Sequence, residues 1–298
     1  MSNKIERIIV PVDFSETSEF AIYTAAAMAM LFKAELSFIH VVKQNESSLT
    51  TENDIVLEAP TKAQLVEHAN AKLLELQHKI KAYSGIQANL FVTTGNVQKG
   101  IRHYAETEHA SLIIMGTHGI SGYQEYFIGS NAQRVVTLSA IPVLTLRKEK
   151  DILGFKNILM AFDNSLYSRT KVNMAIEIAT VYGSNVHVLG VLDTKEQTEI
   201  NKFNVKVKQV EDLIKARNLH CEVEVIYGDN IAKAAMTYAE VHQCDLMVIN
   251  TGHESRITGI FLGAFAQQVV NHSTIPVLSI KPSENMYSGS GSGSGSAI

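Results

Sequence analysis

Short apolar runs alternate with longer segments of helical periodicity along the chain. Residues 8–12, 36–42 and 112–115 are almost entirely apolar, as strands buried on both faces require. In residues 62–83, apolar side chains recur at steps of three and four, which is typical of an amphipathic helix. This alternation predicts an α/β fold, with a parallel sheet and helices on both of its faces.

The same pattern occurs twice in the chain, in the same order. The predicted strands of the first half are 8–12, 36–42, 88–93, 112–115 and 143–146, and its helices are 18–32, 62–83, 97–107 and 131–138. The predicted strands of the second half are 158–162, 186–191, 222–226, 246–250 and 277–280, and its helices are 173–182, 202–217 and 231–241.

Two pairs of matching segments indicate an internal duplication. IIVPVDFS at residues 8–15 matches ILMAFDNS at 158–165, and IPVLTL at 141–146 matches IPVLSI at 275–280. We therefore predict one domain over residues 1–150, a second over 151–283, and a flexible Gly/Ser tail over 284–298. The first half is longer, and we assign much of the excess to the polar insertion 43–60. That insertion is either a solvated loop, a lid over a ligand or a docking loop for a partner.

Composition excludes several classes of protein. Hydrophobic residues make up 46% of the 298 residues, which excludes wholesale disorder, and a net charge of −4 argues against a nucleic-acid binder. The two cysteines fit a reducing compartment rather than a disulfide framework. No apolar stretch reaches the ~20 residues that span a bilayer. We predict a cytoplasmic protein without membrane contact.

Candidate binding residues follow the first and fourth predicted strands. Pro11 and Asp13 leave the first strand, and Gly116 and Gly119 leave the fourth. Ligands of open parallel sheets bind beyond the carboxyl ends of the strands, where these residues should meet. Glycines let the backbone approach a ligand closely. Asp13 could accept hydrogen bonds from ribose hydroxyls, help hold a divalent cation, or only cap a turn.

A predicted helix start completes this group. Gly129, Ser130 and Asn131 offer unpaired amides, a hydroxyl and the positive end of a helix dipole, which together suit a polyphosphate.

The spacing of these residues, G-x2-G-x9-G-S from Gly116 to Ser130, resembles the ATP-binding signature of the universal stress protein family. The VPVD opening, the segment 95–97 and the LIIMG strand are similar to other landmarks of that family. The likeness covers residues 4–148 and, more weakly, 155–282.

The resemblance implies two tandem doubly wound five-stranded sheets of the Rossmann-like or flavodoxin-like type, with strand order 3-2-1-4-5. It also implies that the fifth strands can pair internally, as in a pseudo-dimer, and that ATP binds with Mg²⁺. The contacts it implies with adenosine are Asp13 and Val41, and those with ribose and phosphates are Gly116, Gly119, Gly129, Ser130 and Asn131. Pro11 and Met115, in the first and fourth predicted strands, are also among the residues predicted to bind ATP.

The second half departs from the signature. Asn250, His253, Ala264 and Phe265 occupy the positions of Gly116, Gly119, Ser130 and Asn131. Ala264 supplies no hydroxyl, and Phe265 brings an apolar ring to the helix start. We therefore expect ATP only in the first half.

Three functions remain open from the sequence. A tandem universal stress protein would bind ATP and signal to partner proteins, without being an enzyme. A slow ATPase or an adenylating enzyme is the first alternative, and an interaction module without nucleotide is the second. A homodimer through exposed surfaces is compatible with each of them. The sequence has no G-x4-G-K-[ST] loop and no obvious lysine or arginine clamp beside residues 116–130, so we predict no catalytic residue. The histidines are scattered without metal-ligand spacing, so we predict no metal site beyond Mg²⁺ on ATP.

Overall fold

The first half alternates strands and helices, as its hydrophobic pattern predicts. The computed structural model describes residues 4–43, 60–117, 128–147, 154–162, 171–192, 194–228, 230–251, 254–255, 259–260 and 262–281. The elements of the first half are β1 Arg7–Pro11, α1 Glu16–Phe32, β2 Glu35–Lys43, α2 Lys62–Ser84, β3 Asn89–Gly95, α3 Val97–Thr107, β4 Leu112–Gly116, α4 Ser130–Leu138 and β5 Val143–Leu146. Most of the insertion 43–60 lies outside the described residues.

The second half repeats this order with small additions. Its elements are β6 Asn157–Phe162, α5 Val172–Tyr182, β7 Asn185–Leu192, α6 Gln197–Lys215, β8 Cys221–Tyr227, α7 Ile231–Val241, β9 Leu246–Asn250, β10 Glu254–Ser255, β11 Gly259–Ile260, α8 Ala264–His272 and β12 Val277–Ile280. The hydrophobic pattern did not delimit α8, although the alignment of the halves placed a helix start near Phe265. The pattern did not predict the short β10–β11 pair, and it placed the start of α6 five residues too late.

Strands β1 to β9 and β12 form one sheet of ten strands in the described part of the chain. Its order is β3-β2-β1-β4-β5-β12-β9-β6-β7-β8, so each half has the predicted order 3-2-1-4-5. Pairing is parallel within each half, whereas β5 and β12 pair antiparallel, with Leu144 opposite Leu278. The expected pairing of the two fifth strands is therefore confirmed.

Two apolar clusters cover the two faces of this sheet. Side chains alternate between them along each strand, so that Ile8 and Val10 belong to one cluster and Ile9 to the other. Helices α1, α2, α5 and α6 contribute to the first cluster, and α3, α4, α7 and α8 to the second. Each cluster contains residues of both halves, so the core is continuous across the β5–β12 junction.

Polar contacts also cross this junction. The Ile5 amide donates to Oε1 of Glu177 at 2.9 Å, and the Thr145 hydroxyl donates to the Val277 carbonyl oxygen at 3.2 Å. The halves therefore share hydrogen bonds as well as a core. The proposed domain boundaries at 150 and 283 remain predictions, because residues 148–153 and 282–298 lie outside the described residues.

Candidate functional site

A cavity of about 370 Å³ opens at the carboxyl ends of β1, β2 and β4, beside the start of α4. It falls within the ~300–1,000 Å³ usual for small-molecule sites. Eight of the nine residues predicted for the site line it. These eight are Pro11, Asp13, Val41, Met115, Gly116, Gly129, Ser130 and Asn131. The ninth, Gly119, lies outside the described residues.

Asp13 is held at the cavity by a tight turn between β1 and α1. Its Oδ1 accepts hydrogen bonds from the amide of Ser15 at 3.1 Å and from the hydroxyl of Ser15 at 2.5 Å. Ser15 is in turn the N-cap of α1, where its side chain accepts from the amide of Ser18 at 3.3 Å. One carboxylate oxygen of Asp13 therefore caps the turn, as one of the sequence alternatives expected. The residue is half-buried and also lines the cavity.

The turn also contains a non-glycine residue in the left-handed region. Phe14 has φ of 63°, a conformation that is uncommon for a bulky side chain. Its ring packs on the imidazole of His40, with centroids 4.6 Å apart, and His40 Nδ1 donates to the Val12 carbonyl oxygen at 2.7 Å. These contacts offset the cost of the backbone conformation and fix where Asp13 points.

The start of α4 provides donors on the opposite side of the cavity. Gly129 is the N-cap and makes no side-chain hydrogen bond to the helix, so the first-turn amides at Ser130, Asn131 and Ala132 have no intrahelical acceptor. The Gly129 amide donates to the Thr117 carbonyl oxygen at 2.7 Å, which ties the helix start to the end of β4. An anion at this point would meet these three amides and also the positive end of the helix dipole.

Gly116 is required by packing as well as by the cavity. A Cβ at this position would lie 2.9 Å from the Thr17 carbonyl oxygen and 3.0 Å from the Thr17 Cβ. The sequence argument assigned this glycine to close approach of a ligand, and the contact with α1 is a second reason that the sequence did not indicate.

The wall between β2, β4 and α3 is apolar. Val41 and Met115 are buried, and Ile39, Val97 and Ile101 line the cavity with them. Such a surface suits the flat faces of a nucleobase, whereas the helix start suits phosphate.

Lys43 lines the cavity and was missed by the sequence argument. It is the last residue of β2 and is exposed. Among the described lining residues it is the only lysine or arginine. Its position at the ligand-binding end of a strand is the signal that would have identified it.

The second half keeps the backbone of this site and changes its side chains. The amide of Thr251 donates to the Ile280 carbonyl oxygen at 3.0 Å, and that of Gly263 donates to the Thr251 carbonyl oxygen at 3.2 Å, as Thr117 and Gly129 do in the first half. Ala264, which is exposed, begins α8, and the half-buried Phe265 packs against the second apolar cluster. His253 lies outside the described residues.

A second substitution alters the space beside β7. Gly190 occupies the position of His40, and a Cβ on Gly190 would lie 2.6 Å from Cε1 of Phe203. Phe203 is fully buried in α6, so an aromatic ring comes close to this strand in the second half.

The chain is a tandem α/β protein with a cavity of about 370 Å³ at the strand ends of its first half. A family model described as the universal stress protein family matches residues 4–147 and 154–281. The chain belongs to that family.

Relatives with known names match either one half or the whole chain. Universal stress protein YxiE of Bacillus subtilis is 32% identical over 148 residues, which are 47% of this chain and 98% of the relative. Universal stress protein MJ0577 of Methanocaldococcus jannaschii is 27% identical over 161 residues, which are 50% of this chain and 99% of the relative.

Several solved structures are similar over both halves. A universal stress protein from Archaeoglobus fulgidus covers 93% of this chain and 99% of its own, with a TM-score of 0.73 and 22% identity. This likeness supports the two-domain fold.

Among the described residues, no helix is both long enough and apolar enough to cross a membrane.

Proposed function

We propose that the first half binds ATP together with Mg²⁺, and that partner proteins respond to whether the nucleotide is bound. The observation that carries this proposal is the convergence of eight predicted residues on one cavity, although they come from three strands and a helix far apart in sequence.

The apolar wall supports the adenosine end of the proposal. Val41, Met115 and Val97 offer apolar surface to a base, and Asp13 offers a carboxylate to the ribose hydroxyls. Because Oδ1 of Asp13 is already oriented by Ser15, the carboxylate is held in place before a ligand arrives.

The polar wall supports the phosphate end. The amides at the start of α4, the Ser130 hydroxyl and the Lys43 ammonium are donors suited to a triphosphate. Mg²⁺ usually keeps several waters and binds through substrate phosphates and one or two carboxylates. Asp13 is the only carboxylate among the described lining residues and is assigned to the ribose, so the phosphates and water would hold Mg²⁺.

Binding accounts for these residues better than turnover does. A phosphoryl-transfer site needs several cations around the transferred group and a residue that orients the nucleophile. The described lining has one lysine and one carboxylate, and no observation in it favours adenylation or rapid hydrolysis.

The second half provides a matched control for the test. The double variant S130A/N131F gives the helix start of the first site the two side chains found in the second half, and A264S/F265N makes the reverse change. Calorimetric titration with MgATP should give one site per chain for the unmodified protein. It should give at least a tenfold weaker site for S130A/N131F, which corresponds to about 1.4 kcal/mol. A264S/F265N should keep the original site.

Thermal unfolding without nucleotide checks that both variants are folded. The proposal is refuted if the unmodified chain does not bind MgATP, or if S130A/N131F is folded and binds it as tightly as the unmodified chain. Two equivalent tight sites in the unmodified chain would refute the restriction to the first half.

A further inference from the structure

Two histidines and a glutamate meet in the second half, near the amino ends of β7 and β8. Four strands, β5, β12, β9 and β6, separate β7 from β4 of the first-half cavity. His187 lies in β7, and Glu222 lies opposite it in β8. His242 is the C-cap of α7 and directly follows the last residue of that helix. One potential ligand atom from each of the three lies within 4.8 Å of the others.

Contacts with Tyr238 orient the two imidazoles. His187 is buried, and its Nδ1 lies 3.3 Å from the hydroxyl oxygen of Tyr238. The ring of Tyr238 stacks on His242, with centroids 3.9 Å apart and planes inclined by 16°. One tyrosine therefore orients both histidines. Glu222 is half exposed, and its Oε2 lies 3.5 Å from Nδ1 of His187, so its side chain has room to adjust.

We propose that His187, Glu222 and His242 bind a divalent transition-metal ion, and that Zn²⁺ is the ion that fits best. Two imidazole nitrogens and a carboxylate oxygen are a common Zn²⁺ ligand set, with Zn–N near 2.0–2.1 Å and Zn–O near 2.0–2.2 Å. Tetrahedral coordination at those lengths separates the ligand atoms by about 3.3 Å, which small rotations of the two more exposed side chains can reach. The fourth position would hold water.

The surrounding charges favour a cation. Burial lowers the pKa of His187, with His242 and His220 acting in the same direction, while Glu222 and Asp245 oppose the shift. The negative charges of Glu222 and Asp245 would compensate the charge of the ion.

The first half shows that the fold does not require these residues. Ser37 lies in β2 at the position of His187, with Asn89 opposite it in β3. Glu108, the C-cap of α3, corresponds to His242. Tyr104 corresponds to Tyr238, and its hydroxyl is hydrogen-bonded to Ser37. The same tyrosine and corner are present in both halves, but the three ligating side chains occur only in the second.

A bound ion would connect three elements. β8 ends the described sheet, so its outer edge has no neighbouring strand among the described residues. An ion joining Glu222 to His187 and His242 would fasten this edge strand to β7 and to the end of α7. Because it binds only the folded chain, the ion would raise the midpoint of thermal unfolding.

The test is a Zn²⁺ titration of the full chain, free of affinity tags, treated with EDTA and without nucleotide. We expect one Zn²⁺ per chain, a higher unfolding midpoint, and the visible absorption of a four-coordinate ion when Co²⁺ replaces Zn²⁺. The variants E222Q and H242Q should each weaken binding at least tenfold. H109Q is the matched control, because His109 follows Glu108 at the corresponding corner of the first half.

The proposal is overturned if the unmodified chain does not bind Zn²⁺ stoichiometrically, or if E222Q and H242Q bind it as tightly as H109Q does. Circular dichroism of each variant separates loss of a ligand from loss of folding. The assay contains no ATP, so its outcome is independent of the proposed nucleotide site.

Discussion

Replacing Gly116 by alanine tests whether this glycine serves the packing of α1 or the approach of a ligand. The added Cβ would lie 2.9 Å from the Thr17 carbonyl oxygen and 3.0 Å from both its carbonyl carbon and its Cβ, whereas carbon atoms in contact are normally ~3.5–4.0 Å apart. All three contacts involve atoms close to the backbone, so no flexible side chain can move away. Overpacking of this kind costs about 1–3 kcal/mol.

The expected cost is visible without any ligand. At about 2–4 °C per kcal/mol, G116A should lower the midpoint of thermal unfolding of the nucleotide-free protein by about 2–12 °C. ATP affinity should fall as well, because Thr17 lies in the first turn of α1, next to the turn that orients Asp13.

Gly228→Ala is the matched control for this measurement. A Cβ at Gly228 meets nothing within 4 Å, and its φ is not in the left-handed region. G228A should leave the midpoint unchanged or raise it slightly, because alanine restricts the unfolded chain. If G116A unfolds at the same temperature as G228A and loses only ATP affinity, then the ligand, and not α1, explains the glycine.

Two further predictions concern the packing of Gly190 and the charge of Lys43. Gly190→Ala should destabilise the chain by about 1–3 kcal/mol, because its Cβ would lie 2.6 Å from Cε1 of Phe203, and adding F203L should recover part of this loss. Thermal unfolding of the single and double variants measures the coupling between the two positions. Additive losses of stability would contradict the contact. Lys43→Gln should weaken ATP binding by up to about fivefold, since an exposed charge pair contributes ~0.2–1 kcal/mol, and should leave adenosine binding unchanged. Calorimetry at low and high salt checks this, and an equal loss for adenosine would contradict a role at the phosphates.

Much of the fold is predictable because burial on both faces leaves a clear signal. The strands from Ile8 to Leu146 are short, largely apolar and separated by periodic helices, so their number and their positions along the chain follow from the sequence, whereas their order in the sheet was implied by the family resemblance. The start of α6 was placed too late because its first residues, from Gln197, are polar and carry no periodicity. The strands β10 and β11 have two residues each, too short for any pattern to indicate them.

The candidate site was predictable where residues directly follow a strand or begin a helix. Asp13 and Gly129 could be placed in this way, since parallel strands bring their carboxyl ends to one edge. Lys43 was missed because it lies next to a polar insertion and was counted with it. The packing contact of Gly116 depends on the distance between β4 and α1, which the sequence pattern does not contain.

The cluster of His187, Glu222 and His242 could not be found from spacing. The sequence argument expected no metal site beyond the ion on ATP, because the histidines show no local motif. Only the register of β7 against β8, together with the end of α7, brings the three side chains to one point. Pairing register is a property of the folded sheet, so single-chain spacing rules do not report it.

The antiparallel pairing of β5 with β12 has a consequence for how the two halves can change. In a symmetric dimer of identical chains, every substitution is made twice, and both sites gain or lose it together. Here different codons of one chain encode the two sides of the pseudo-twofold, so a single codon change affects one side only. Phe265 at one helix start and Asn131 at the other are a difference that two copies of a single-domain chain could not maintain.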